Sequence, residues 1–106
     1  MIAETTEVST LALIGDALDW VVAQIESNVG WQREGVDRDN YSTDWAHARR
    51  IIEREHIEFD YDEATQLYRA YDGIHGGVGK THLIAAMRCF VASKMGITVR
   101  VPTELL

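Results

Sequence analysis

The feature that most constrains this chain is the stretch from Leu83 to Met95, in which ten of thirteen residues are apolar. A helix that is apolar on nearly every side belongs in the interior of a domain. Thr81 suits an N-cap and Gly96 a C-terminal stop, so we predict a central buried helix between them. Arg88 is the difficult residue of this helix, because burying a guanidinium without a partner costs roughly 3–5 kcal/mol.

We therefore expect the Arg88 guanidinium to contact either a carboxylate of this chain or a bound anion. Three carboxylates are candidates for the first case: Asp19, Glu53 and Glu55. The second case would make Arg88 part of a ligand site, so its partner bears directly on function.

A glycine-rich segment from Gly73 to Thr81, GIHGGVGKT, leads directly into this helix. Backbone N–H groups at a helix start and the helix dipole both favour an anion, so we predict a loop that binds a small anion. An ordinary loop with an N-cap is the alternative. The segment is not a Walker A loop, G-x-x-x-x-G-K-[ST], because the first glycine would have to replace Ile74 and only 25 residues follow Thr81.

Length and charge limit the class of protein. The 106 residues correspond to a single domain, 1–106. Residues 1–72 carry 16 acidic and 6 basic groups, whereas residues 73–106 carry 1 acidic and 4 basic groups. An acidic surface argues against direct nucleic-acid binding, while the basic excess near the glycine-rich segment allows a small-anion site. The sequence has no membrane-spanning run and no signal peptide, so we expect a cytoplasmic protein.

The order of the segments predicts an α+β fold, with two helices packed on a small antiparallel or mixed sheet that contains a hairpin. Besides the central helix, the predicted elements are a strand at Thr5–Thr10, a helix at Ile14–Ser27, a long loop at Asn28–Ala48, a hairpin formed by Ile51–Asp62 and Gln66–Tyr71, and a last strand at Ile97–Val101. A long loop in a small domain is often functional.

The predicted hairpin has a strongly acidic face. Apolar and acidic residues alternate along its first strand, which is typical of a half-buried strand. The acidic residues are Glu58, Asp60 and Asp62, followed by Glu63 at the turn. Such a face either keeps a sheet edge soluble or mimics the phosphates of a nucleic acid.

The predicted long loop carries two tryptophans, Trp31 and Trp45. An exposed tryptophan in a loop is costly unless it packs on something, so we expect at least one of them to cover the core or a ligand. Ser42 to Trp45 is predicted to be a short turn that presents the Trp45 ring.

The sequence predicts neither a metal site nor a catalytic site. Four histidines are spaced by 9, 19 and 7 residues, which fits no zinc pattern: His47, His56, His75 and His82. The single Cys89 falls in the buried helix and is expected to be a small core residue. No nucleophile and base lie beside the carboxylates Glu53 and Glu55, so we expect a protein that is not an enzyme and needs no cofactor.

Three segments of the chain resemble the phage NinX family of small phage and prophage proteins. They are Ile14–Ala23, Tyr41–Ala46 together with Ile51–Glu55, and Thr81–Gly96 continuing to Pro102. The chain departs from the family pattern at Ala48–Arg50, where a Gly-Gly-Pro-like stretch is usual, and at His82, where proline is usual. The resemblance implies a protein made inside a bacterial host cell, and it implies little about chemistry.

We therefore predict a non-enzymatic phage protein that binds a small anionic or nucleotide ligand, and does so to counter host defence. Trp45 would stack on a base, while glycine amides, Lys80, Thr81 and Arg88 would face phosphates. The expected site residues are Asp19, Asp44, Trp45, Glu53, Gly76, Gly77, Gly79, Lys80, Thr81 and Arg88. The alternative is an inhibitor that presents the acidic hairpin to a host protein. In either case we expect a homo-oligomer.

Overall fold

The computed structural model describes residues 4–27 and 40–106, and these residues form an α+β arrangement, as the sequence predicts. The elements are β1 (Thr5–Ser9), α1 (Gly15–Ser27), α2 (Trp45–Arg54), β2 (Glu58–Asp62), β3 (Leu67–Tyr71), β4 (Gly76–Gly79), α3 (His82–Met95) and β5 (Thr98–Pro102). Short 3-10 turns follow β1 and β5. Within the described ranges no helix has the length and apolarity that crossing a membrane requires.

The central helix of the fold is α3, and the prediction made from its apolar sequence is confirmed. The Thr81 hydroxyl caps the helix by accepting a hydrogen bond from the backbone N–H of Ile84 at 3.1 Å. At the other end, Gly96 has a φ of +85°, which a residue with a side chain rarely adopts. The helix packs against β3, β4, α1 and α2. Half of its residues are buried, which explains why its sequence has no polar face.

The described strands form two antiparallel sheets, and the expectation of one sheet carrying two helices is not confirmed. One sheet pairs β1 with β5, with Thr5 opposite Pro102 and Ser9 opposite Thr98. The other has the order β2-β3-β4 and contains the predicted hairpin. Because both sheets contact α3, each buries its apolar face without joining the other.

Helix α2 corrects two predictions, because it occupies residues that we expected to be a loop and the start of a strand. Asp44 begins the helix by accepting a hydrogen bond from the N–H of Ala46 at 2.9 Å. Ala48, Ile51 and Ile52 are buried, at the spacing of one helical face. The predicted turn at Ser42–Trp45 therefore leads into a helix. Residues 28–39 of the predicted loop, with Trp31, lie outside the described residues.

Strand β4 occupies part of the glycine-rich segment that was expected to be a loop. Gly76–Gly79 pairs with β3, and two of its glycines, Gly77 and Gly79, face α3. A Cβ on Gly77 would lie 2.4 Å from the carbonyl oxygen of Ala85 and 2.5 Å from the backbone nitrogen of Cys89. A Cβ on Gly79 would lie 2.6 Å from a side-chain carbon of Ile84. The glycines allow β4 to approach α3 at backbone distance.

A network of charged side chains joins α1, α2 and α3. Arg54 of α2 donates two hydrogen bonds to the buried Glu26 of α1, at 3.1 and 2.6 Å, and one to Glu55 at 2.9 Å. Lys94 of α3 completes the network with an ion pair to Glu55 at 3.2 Å. Both cations lie within 6 Å of the ring centre of Phe90, at 5.7 and 5.9 Å. This network occupies Glu55, which was one candidate partner of Arg88.

Candidate functional site

Arg88 is held by backbone carbonyl groups. Its Nε donates a hydrogen bond to the carbonyl oxygen of Leu13 at 2.8 Å, and its Nη1 donates to that of Val78 at 2.7 Å. No carboxylate among residues 4–27 and 40–106 forms an ion pair with it, so the first of the two expected partners, a carboxylate of this chain, is not found among the described residues. Partial burial lowers the pKa of the guanidinium, as expected for a cation without a counter-ion.

The remaining candidate carboxylates have other partners. Asp19 accepts a hydrogen bond from the backbone N–H of Ser42 at 2.8 Å, and burial raises the pKa of Asp19. Glu53 forms an exposed ion pair with Arg49 at 3.0 Å, one helical turn away on α2. Both contacts stabilise local structure around α1 and α2, so neither carboxylate supplies charge to Arg88.

Arg88 and Lys80 line a groove of about 200 Å³ beside β4. We call it the Arg88 groove, and its lining residues are Ile14, Leu67, Val78, Gly79, Lys80, Ile84 and Arg88. Lys80 is exposed, and within the described part of the chain no carboxylate forms an ion pair with it. The groove therefore combines two positive charges with an aliphatic wall, in a protein whose net charge is −7.

The structure brings together three of the residues predicted for the site, namely Gly79, Lys80 and Arg88. Thr81 caps α3, and Gly76 and Gly77 line a second, shallower groove of about 410 Å³ on the outer face of the β2-β3-β4 sheet. The remaining predicted residues do not line the Arg88 groove: Asp19, Asp44, Trp45 and Glu53.

Trp45 belongs to an aromatic cluster outside the Arg88 groove. Its side chain is 47% exposed, and its ring centre lies 6.1 Å from that of His82, the first residue of α3. His82 also contacts Phe59 at 5.6 Å and Tyr68 at 5.9 Å between ring centres. Trp45, which was expected in a loop, is the first residue of α2, and its ring lies beside His82 without covering the core.

Sequence reasoning missed the aliphatic lining of the groove. The predicted helix begins at Ile14, yet in the structure Ile14 precedes α1 and is 57% exposed. Val78 was treated as part of a loop, whereas in β4 its side chain points away from α3 because Gly77 and Gly79 point toward it. The alternation of glycine with valine in Gly77-Val78-Gly79 was the available signal.

A cysteine, a histidine and an aspartate lie near one another at Cys89, His75 and Asp72. Their geometry does not support a cysteine nucleophile activated by a histidine base. The Cys89 thiol donates to the backbone oxygen of His75 at 3.5 Å. Burial raises the pKa of Cys89 to about 11, so the thiol stays protonated at neutral pH. The described residues also contain no group of three or more His, Cys, Asp or Glu side chains placed to hold a metal ion.

The described residues thus form a small α+β fold with a groove that combines two cations and aliphatic side chains. Compared with protein families, residues 8–94 match the family described as Bacteriophage P22, NinX. The match covers well over half of the chain, so this protein belongs to the bacteriophage P22 NinX family, and the resemblance seen in the sequence is confirmed. A comparison with curated proteins finds no match.

Proposed function

We propose that this phage protein is a non-enzymatic binding protein, and that its ligand is a small anion held in the Arg88 groove. The observation that carries the proposal is the state of Arg88, a partly buried cation with no carboxylate partner among the described residues. An anion in the groove would supply the missing negative charge. It would also gain charge-assisted hydrogen bonds, which are about twice as strong as neutral ones.

The carbonyl groups of Leu13 and Val78 prepare Arg88 for this role. They accept from Nε and Nη1, which leaves three of the five guanidinium N–H groups without a hydrogen-bond partner among the described residues. A side chain that is already fixed loses little conformational freedom when a ligand binds. Lys80, in the same groove, adds a second cation for the anion to contact.

Titration calorimetry against phosphate, acetate and mono-, di- and cyclic nucleotides tests the proposal. Lys80→Gln should weaken binding of any anion that binds by about 3- to 10-fold, because one charge-assisted contact is lost. Arg88→Gln should weaken it more. Arg100→Gln is the control, since Arg100 is exposed and contacts Thr5 of β1.

Two results would contradict the proposal. The first is the absence of binding by every anion at millimolar concentration. The second is binding that Lys80→Gln and Arg88→Gln leave unchanged relative to Arg100→Gln. Far-ultraviolet circular dichroism of each variant confirms that it is folded before binding is compared.

A role against host defence is the biological part of the proposal, and membership of a phage family supports it. Phages should propagate better in defended bacteria that express the protein than in the same bacteria without it. Lys80→Gln should remove most of this advantage if the ligand is the cause. An equal advantage from wild type and Lys80→Gln would mean that the role against host defence does not depend on the Arg88 groove.

The acidic hairpin supports a second candidate, an inhibitor of a host protein. Glu58, Asp60 and Asp62 lie on one face of the edge strand β2. Arg69 of β3 weakens this charge, because it forms two hydrogen bonds to Asp60, at 2.7 and 2.9 Å. A host partner that binds this face should be lost when Glu58→Lys is introduced or when the salt concentration is raised. Binding that survives both would exclude the hairpin.

A further inference from the structure

We infer that the ligand of the Arg88 groove is an anion with a short aliphatic chain, and not a nucleotide. This inference rests on the proposed function and names the chemical class of its ligand. The headgroup, a carboxylate or a phosphate, would contact Lys80 and Arg88. The chain would lie against the aliphatic wall of the same groove.

The chemistry of the lining is the first argument. Every apolar side chain that lines the Arg88 groove is aliphatic: Ile14, Leu67, Val78 and Ile84. Recognition of a base commonly uses an aromatic ring as a stacking partner. Trp45 packs on His82, and Tyr71 lines the shallower groove on the outer sheet face. The groove therefore offers van der Waals contact to methylene groups and no ring on which a base would stack.

The exposure of this wall is the second argument. Ile14 is 57% exposed and Val78 is 40% exposed, although both lie beside a charged pocket. A simple inorganic anion would leave both side chains in water. An anion with an apolar chain would cover them, and covering apolar surface is favourable.

The size of the groove is the third argument. A volume of about 200 Å³ is smaller than the usual 300–1,000 Å³ of a drug-sized pocket. A compact headgroup with a few methylenes fits a groove of this size, whereas a base, a ribose and a phosphate together would extend out of it.

A chain-length series provides the test. Acetate, butyrate, hexanoate and octanoate are titrated into the ¹⁵N-labelled full chain, and shifts of backbone amide signals give each dissociation constant. Butyl phosphate and adenosine monophosphate are titrated in parallel to compare headgroups and to include a nucleotide. Each methylene that becomes buried should tighten binding about four-fold, until the chain exceeds the groove.

Variants connect the chain-length effect to the wall. Ile14→Ala should weaken hexanoate binding several-fold and leave acetate binding nearly unchanged. Ile74→Ala is the matched control, because Ile74 is 87% exposed and does not line the groove. Lys80→Gln should weaken both acetate and hexanoate, since both carry the headgroup. Val78 remains unchanged throughout, because its backbone holds Arg88.

The outcomes separate this inference from the proposed function. Affinity that does not rise from acetate to hexanoate, or adenosine monophosphate binding tighter than hexanoate, overturns the inference while anion binding stands. An equal loss for Ile14→Ala and Ile74→Ala also overturns it. If no anion in the series shifts the amide signals of the groove, the proposed function fails together with it.

Discussion

Gly77 shows at the scale of one residue how tightly β4 is joined to α3. No side chain lies between the two backbones at this point, and a Cβ on Gly77 would contact backbone atoms of both Ala85 and Cys89. Backbone atoms cannot move aside as the end of a flexible side chain can. The space is therefore restricted to glycine by packing, and not by a turn.

We predict that Gly77→Ala lowers the free energy of unfolding by about 3 kcal/mol, because β4 must shift away from α3. Gly76→Ala is the control on the same strand, since its Cβ would meet only the oxygen of Ala70, at 3.5 Å. Gly76→Ala should change stability by less than about 0.5 kcal/mol. Urea unfolding followed by fluorescence measures both, and equal effects would contradict the packing argument.

Single residues also show which parts of the site could be predicted. Arg88 and Lys80 are recognisable in the sequence, because a charge in an apolar helix and a basic residue beside it are local signals. The partner of Arg88 was not recognisable, because the carbonyl oxygens of Leu13 and Val78 belong to the backbone, which every residue has. No pattern of side chains indicates which carbonyl an arginine reaches.

Helices α1, α2 and α3 are joined at the level of whole elements by the network around Arg54. Glu26 is 6% exposed, whereas the Arg49–Glu53 ion pair on α2 is mostly exposed on both sides. Buried pairs are costly to break because the remaining charge loses its partner. Exposed pairs contribute little because water and salt screen them.

Glu26→Gln should therefore lower the free energy of unfolding by about 2 kcal/mol, since Arg54 loses its counter-ion on α1. Glu53→Gln is the matched control, and we expect an effect below about 0.5 kcal/mol. Thermal and urea unfolding of the two variants gives the comparison. A loss for Glu53→Gln as large as that for Glu26→Gln would mean that the helices are not joined through this network.

The prediction of elements succeeded where periodicity was strong and failed where another signal replaced it. Helix α3 and the β2–β3 hairpin follow directly from their apolar patterns. Helix α2 was missed, because Asp44 and the buried Ala48, Ile51 and Ile52 were divided between a loop and a strand. Strand β4 was missed because glycine disfavours strands in general. Its close approach to α3 is a tertiary contact that no short segment reveals.

For the molecule as a whole, the dependence of stability on pH follows from carboxylates with shifted pKa values. Hydrogen bonds from the backbone N–H groups of His75 and Ile74 lower the pKa of Asp72. Burial alone would raise the pKa of Glu55, but hydrogen bonds from Arg54 and Lys94 lower it overall. A carboxylate whose pKa is lower in the folded protein than in the unfolded chain stabilises the fold at pH values above its unfolded-chain pKa. This stabilisation is lost as the pH falls through the pKa of the folded protein.

We thus predict that the free energy of unfolding falls as the pH is lowered from about 5 to about 2. Asp72→Asn should lower the free energy of unfolding by a few tenths to about 1 kcal/mol at pH 6 and should leave it almost unchanged at pH 2. Asp19→Asn should instead raise the free energy of unfolding at pH 6. Burial raises the pKa of Asp19, so the folded protein disfavours its charged form. Urea unfolding at pH 2 and pH 6 distinguishes them, and the same sign for both variants at pH 6 would contradict the assignment.

The α+β class was predictable for the whole molecule, and the division of the strands between two sheets was not. Strand β5 pairs with β1, whose residues lie 89 to 97 positions away in the sequence, so the pairing has no local signal. Two other expectations stay predictions. They are homo-oligomer formation, which sedimentation would test, and a cytoplasmic location.

Two main-chain oxygen atoms hold the guanidinium of Arg88. Its position therefore depends on the path of the backbone more than on which side chains surround it. Relatives could exchange Ile14, Leu67 or Ile84 for other residues while the guanidinium stays in place. Under the proposed function, anion preference would then differ between relatives that keep Arg88.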